Sequence, residues 1–261
     1  MAVFGRLALA LVACAAASIA APLPTLNASV VNGTLSYPGH APTVIGNTTS
    51  ALNAAIATVF GPVQPPPARD TAVLINSTVG VLSYLTLTGS YLADVPLDLP
   101  PQFVLAMVDA TIVASPAFSG AALVFANGSA YSAVVSAGGP EHALIDCSAA
   151  PVGCPGVFAL NSAFFLLDGV TVNACGISGP PNTQTAGVHL QGHPFVTGGE
   201  VANCVVRGGS RAIWTETISG ALIHGNQVSA HATNSVQTAL LLVEPPCLSC
   251  VAGVQQHQAC D

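Results

Sequence analysis

The chain has 261 residues, of which 6% are charged and 51% hydrophobic, and its formal net charge is −7. Ordinary domains carry about a quarter charged residues, so most of this backbone is expected to be buried and paired rather than solvated. With eleven Asp and Glu against four Lys and Arg, the surface repels nucleic acid and disfavours polyanionic sugars unless a metal bridges them.

Arg6 precedes the apolar run Leu7 to Ala17 and the small-residue end Ser18-Ile19-Ala20. This is the order of charged, apolar and cleavage regions in a secretory signal peptide, so residues 1–20 are read as a signal and the mature chain as starting near Ala21. The apolar run is shorter than the about 20 residues a membrane span needs, and the polar end Gln255 to Asp261 is no lipid-anchor tail. A secreted, extracellular or cell-surface address follows, without a membrane span after signal cleavage.

Residues 21–49 mix Pro, Gly, Asn, Ser and Thr without a clear period and read as an exposed arm. Five sequons, at Asn27, Asn32, Asn47, Asn76 and Asn127, are expected N-glycan acceptors, and their clustering in the N-terminal half leaves the other half as the barer contact surface. Ser50 to Phe60 places Leu52, Ile56, Val59 and Phe60 at helical spacing with Ser50 as N-cap, predicting one short helix that Pro65-Pro66-Pro67 terminates.

From Thr71 onward short apolar stretches recur between Gly, Pro, Asn and Ser. They include Ala72 to Ile75, Val81 to Leu87, Phe103 to Val108 and Ala121 to Phe125. Continuous apolar runs suit strands buried in parallel sheets, yet no helices lie between them to make crossovers. A solenoid resolves this, because each turn of the chain returns to pair with the turn below. Aligning Val157, Val188, Ile213 and Leu240 stacks four strands at spacings of 31, 25 and 27 residues. A second set, Leu166 to Val172, Val201 to Val206 and Leu222 to Val228, runs between them as another face. Residues 50–246 are read as this one domain and 247–261 as a Cys-containing tail that stops short of an obvious cap.

Ala221-Leu222-Ile223-His224-Gly225-Asn226-Gln227-Val228 resembles the apolar-x-x-Asn-x-apolar coil of the pectin-lyase-like right-handed parallel β-helix superfamily. Gly89-Ser90-Tyr91, Pro96 to Pro100 and Ala110 to Val113 are similar to its first coils, and the Ser50 helix stands where its members cap the open core. The resemblance implies an all-β, right-handed parallel β-helix with a short N-terminal capping helix, and an activity on extracellular polysaccharide as lyase or hydrolase. Calcium is implied only by that resemblance; no metal-ligand cluster and no other cofactor is read from the residues.

In the stacking register Val188, Leu190, Ile213 and Thr215 point inward, so His189, Gln191, Trp214 and Glu216 point outward on neighbouring turns. Trp214, the only Trp, could stack on a sugar ring with Gln191 bonding its hydroxyls, while Glu216, His189 and Arg211 are the catalytic candidates. Alternatively, Trp214 packs under a loop and Glu216 is a solvated edge charge. Hydrolysis calls for two carboxylates about the bond, and Glu216 has no clear partner: Glu244 is out of register, Glu200 lies in a Gly-rich bend and Asp168 is on another face. The tandem aspartates and Gly-His-Gly of polygalacturonase-like members are missing. A lyase would need an Arg or His base such as Arg207, Arg211 or His189. The competing function is a non-catalytic cell-surface or matrix protein.

Seven cysteines follow the leader. Cys147 with Cys154 could close a short loop, Cys175 with Cys204 could join adjacent turns, and Cys247 with Cys250 form a CxxC. Cys260 is then left for a disulfide-linked or end-to-end association with another chain. Asn203 and Asn226, near strand corners, are read as structural amides.

Overall fold

The computed structural model describes residues 25–61, 82–150, 154–175, 186–192, 197–208, 211–230 and 238–243. The expected signal, Asn76, Glu244, Cys247, Cys250 and Cys260 lie outside the described residues. The strands are β1 (Thr25–Val31), β2 (Thr34–Ser36), β3 (Thr43–Val44), β4 (Leu82–Ala93), β5 (Leu97–Asp98), β6 (Phe103–Ala114), β7 (Val124–Asn127), β8 (Ala133–Ser136), β9 (Ala143–Asp146) and β10 (Val157–Leu160). They continue as β11 (Phe165–Asp168), β12 (Thr171–Asn173), β13 (Ala186–Gln191), β14 (Thr197–Ala202), β15 (Val205–Gly208), β16 (Arg211–Glu216), β17 (Ser219–His224), β18 (Gln227–Ala230) and β19 (Thr238–Val243). One α-helix, α1 (Thr49–Phe60), is present among the described residues. No helix there is long and apolar enough to cross a membrane.

The chain is all-β in character, and its strands pair in parallel across large jumps in sequence. One sheet runs β5-β7-β10-β13-β16-β19. The other divides at the twelve-residue β6. Its first half pairs β8 and its second half β9, starting the columns β8-β11-β14-β17 and β9-β12-β15-β18. Each passage of the chain thus adds one strand to each of three columns. The stretch expected to form a single second face bends once per passage, at Gly169, Asn203 and Gly225, all with positive φ. That left-handed conformation is open to Gly and tolerated by Asn, which is why these residue types stand there.

The predicted alignment is the observed register: Val157 pairs with Val188, Val188 with Ile213 and Ile213 with Leu240. The first two inward residues are followed by Ile213, all three fully buried. The third column stacks Ile112, Ile145, Val172, Val206 and Val228 one above another, and the first four are fully buried. β-branched side chains stiff at χ1 suit such ladders, where every turn packs its side chain on the one below. These rows form one continuous hydrophobic core with the other inward residues.

Residues 25–44, expected to be an exposed arm, instead extend the sheet. β1 pairs in parallel with β4 over Thr25 to Val31, and β2 and β3 follow antiparallel. Ala28, Val30 and Leu35 are buried. The alternation is short and interrupted by the Asn32-Gly33 turn, which hid it from a search for longer runs. The helix also begins earlier than Ser50: the hydroxyl of Thr48 is the N-cap, accepting from the Ala51 amide at 3.2 Å. The exposed carboxylate of Asp94, at the end of β4, accepts from the Ser50 amide at 3.0 Å, the Ser50 hydroxyl at 2.6 Å and the Thr49 hydroxyl at 3.0 Å. Desolvation pulls this acid upward, but those donors outweigh it and hold it at about 2. The acid thus ties the helix start to the sheet, where the unpaired amides favour an anion.

Gly156 and Gly187 open the equivalent strands β10 and β13. A Cβ at Gly187 would stand 2.4 Å from Val206 Cγ1, and one at Gly156 2.6 Å from Val172 Cγ1. Here glycine permits the third column to approach the first. Gly187→Ala is expected to destabilise by about 1–3 kcal/mol through overpacking, and Val206→Ala in the same chain to recover part of the loss. Denaturant unfolding of the two single variants and the double checks this; strict additivity would contradict it.

Candidate functional site

The outward residues of the first column form a stack of rings. Register places Phe125 above Phe158, Phe158 above His189 and His189 above Trp214. Ring centroids lie 5.5 Å apart for the Phe pair, 4.7 Å for Phe158 and His189, and 4.0 Å for His189 and Trp214. The last two pairs are nearly coplanar in tilt, at 8° and 3°. Strand spacing of about 4.8 Å sets this repeat, so identical outward positions on successive turns must touch.

The expected outward orientation of His189, Gln191, Trp214 and Glu216 holds, but exposure does not follow. His189 is only 7% exposed, because a ring covers each of its faces. Burial, and next the positive charge of Arg211, push its imidazole down to about 4. Its Nε2 lies 3.5 Å from Glu216 Oε2 without an aligned hydrogen bond, and Trp214 Nε1 likewise finds no partner among the described residues. A neutral imidazole is therefore the form the stack accepts.

Trp214 is not an open sugar platform. His189 lies parallel on one face, and Arg211 Cζ stands over the ring 4.2 Å from its centroid. With the first face filled by the imidazole, the guanidinium takes the other, a cation–π contact. Arg211, the third catalytic candidate, thus lies against the indole. Gln191 Nε2 donates to Glu216 Oε2 at 3.4 Å, and both side chains are half-buried. Glu216 is flanked in register by Gln191 above and Val243 below, with no acid in register beside it among the described residues. The expected pattern of residues is thus brought together, but as a packed stack with one carboxylate.

The other candidates sit elsewhere. Arg207 is exposed on the third column, 3.4 Å from Asn173 Oδ1. His224 and Glu200 face each other at 2.9 Å on the second column. Asn226 accepts from the Cys204 amide at 2.9 Å and donates to the Val201 carbonyl at 2.7 Å, and Asn203 donates to Asp168 across one turn at 2.8 Å. These amides stitch successive turns. Asn27, Asn32 and Asn47 are exposed and Asn127 is half-buried.

The cysteine pairing differs from the expected one. Cys204 is buried and free, its thiol pushed up to about 12, first by burial. Cys175 instead lies against both Cys147 and Cys154, whose own sulfurs stay 3.8 Å apart. Sequence spacing missed this because the three residues meet only at the corner where β9, β10 and β12 converge. Calcium needs several carboxylate or carbonyl oxygens converging. Among the described residues the one group of three metal-capable side chains is this sulfur trio, which does not fit calcium.

No family model, curated protein or solved structure matches the chain.

The stack makes stability depend on pH. The unfolded chain takes up a proton at His189 near the ordinary value of 6.5, whereas the folded chain resists until about 4. Stability is therefore full above pH 6.5 and falls through that window, by about 3 kcal/mol in the limit. His189→Phe, which continues the Phe column without a titrating group, is expected to flatten the window in denaturant titrations. An unchanged pH profile in that variant would contradict the reading.

Proposed function

We propose that the chain is a secreted, glycosylated right-handed parallel β-helix of the pectin-lyase-like kind that serves as a non-catalytic extracellular scaffold. The three columns support the solenoid reading, since each passage of the chain returns to pair with its predecessor. Right-handedness follows from the strong rule for connections between parallel strands of one sheet. α1 stands at the N-terminal end and packs on β4 and β5, with Leu52 and Ile56 buried, as a cap over the open core would. The exposed Asn27, Asn32 and Asn47 cluster near that same end, supporting a glycan-bearing first segment.

The observation that carries the non-catalytic reading is the closed stack of Phe158, His189 and Trp214. Retaining or inverting glycoside cleavage uses two carboxylates about 5–9.5 Å apart, and Glu216 lacks one beside it in register. Proton abstraction needs an accessible base matched to its working pH, and a 7% exposed imidazole held at about 4 is a weak one. The rings instead lengthen the core outward and stiffen the coils.

Polysaccharide binding without cleavage is the second reading. It is favoured by the half-buried Gln191 and Glu216 pair, which lies two residues along the same strands from the stacked His189 and Trp214.

Incubating the folded, purified protein with neutral and acidic polysaccharides is expected to give no new reducing ends and no unsaturated uronates. Products that vanish in Glu216→Ala would overturn the scaffold reading in favour of an enzyme. Retention on an immobilised glycan that is lost in Gln191→Ala, with no products, would move the conclusion to the binding reading.

A further inference from the structure

Cys147 follows β9, Cys154 precedes β10 and Cys175 follows β12, so the three belong to two successive passages of the chain at one corner. All three side chains are buried, and their sulfurs lie within 4.8 Å of one another. The Cα of Cys175 is 4.2 Å from that of Cys147, just under the usual span of a disulfide, and 5.1 Å from that of Cys154, within it. The Cys175 amide also donates to the Cys154 carbonyl at 3.0 Å, fixing the two backbones in place. Three sulfurs of this kind admit one disulfide and one thiol.

We propose that this corner is a three-cysteine exchange site, in which a disulfide on Cys175 passes between Cys147 and Cys154. In the step, the Cys154 thiolate attacks Cys175 Sγ, the Cys175–Cys154 bond forms, and the Cys147–Cys175 bond breaks, leaving Cys147 as thiolate. The proton lost by Cys154 ends on Cys147, and one disulfide and one thiol are present before and after. No oxidant or reductant enters. The 3.8 Å between the Cys147 and Cys154 sulfurs keeps attacking and leaving groups both within reach of the one Cys175 sulfur.

Neither linkage is favoured strongly by chain entropy. They close segments separated by 28 and 21 residues, which favours the shorter loop by only about 1.5-fold in the unfolded chain. Both linkages clamp the same two passages together. They differ in which segment is held: the end of β9 in one, the start of β10 in the other. Burial in apolar surroundings disfavours the thiolate that exchange needs, so the two forms interconvert slowly at neutral pH and faster when it is raised. A metal-thiolate centre is the competing use of three sulfurs. Three thiolates around a divalent cation would still leave a net negative charge in a buried, apolar corner, whereas a disulfide and a thiol are neutral there.

The test is non-reducing peptide mapping of the full-length protein, alkylated at low pH after incubation at pH 6 and at pH 9. Both Cys147–Cys175 and Cys154–Cys175 peptides are expected, each with the third cysteine alkylated after denaturation, and their ratio is expected to approach its limit sooner at pH 9. Cys147→Ser and Cys154→Ser are each expected to retain one linkage to Cys175 and to stay folded by circular dichroism. A single linkage whose third cysteine is paired elsewhere in the chain would overturn the proposal. So would zinc bound by the folded protein with all three thiols reduced, read by native mass measurement, or two linkages whose ratio never changes with time or pH. None of these outcomes bears on whether the chain cleaves glycans.

Discussion

Parallel pairing between strands far apart in sequence, offset by 20 to 34 residues from β4 onward, is the constraint on which everything else in this chain depends. A buried strand must satisfy an amide and a carbonyl on each side, and with no crossover helices among the described residues its partner is the next passage of the chain. That requirement fixes inward and outward positions on every turn at once, because a slip of one residue would turn each inward residue outward. It also accounts for the composition. A chain whose backbone is satisfied internally and whose inward rows are Val, Ile, Leu and Ala needs few charges, and Gly156 and Gly187 are required where neighbouring columns meet.

The same constraint shapes the outward face. Positions in register must touch, so four outward rings in a row become a stack rather than separate ligand contacts. Stacking buries His189, neutralises it and closes the faces of Trp214 between an imidazole and a guanidinium. Residues that look like separate chemical groups when read singly, a His, a Trp, an Arg and a Glu within two strands, are thereby brought into one packed stack. Charge is placed instead where it ties parts together, as in the Asp94 carboxylate at the start of α1 and the Asn226 amide between turns.

Much of this was legible from the amino-acid order, and the reasons are specific. Val157, Val188, Ile213 and Leu240 could be aligned because each opens a short apolar run after a small or polar residue, and the alignment equals the observed pairing. Outward placement of His189, Gln191, Trp214 and Glu216 followed from alternation alone. The third column was not separated from the second because only one left-handed residue, Gly169, Asn203 or Gly225, divides them. β1 escaped notice because its apolar residues are few and alternate with Asn and Ser. The closure of the ring stack was hidden for a different reason: Phe158 and Phe125 lie one and two turns away from His189, and a pairwise reading of two strands does not include them. Cysteine spacing was equally uninformative, since Cys154 and Cys175 are neighbours only through the return of the chain.

The register of the outward stack is the most direct test of the whole account, and Trp214 makes it accessible as the only Trp in the chain. Nuclear Overhauser contacts should be measured from the indole protons of Trp214, on protein with assigned aromatic resonances. Strong contacts to the imidazole of His189, and from that imidazole onward to the ring of Phe158, are the expected result. Contacts from Trp214 to side chains of the inward row, or none to His189, would contradict in-register parallel stacking and with it the solenoid, the scaffold reading and the core described here.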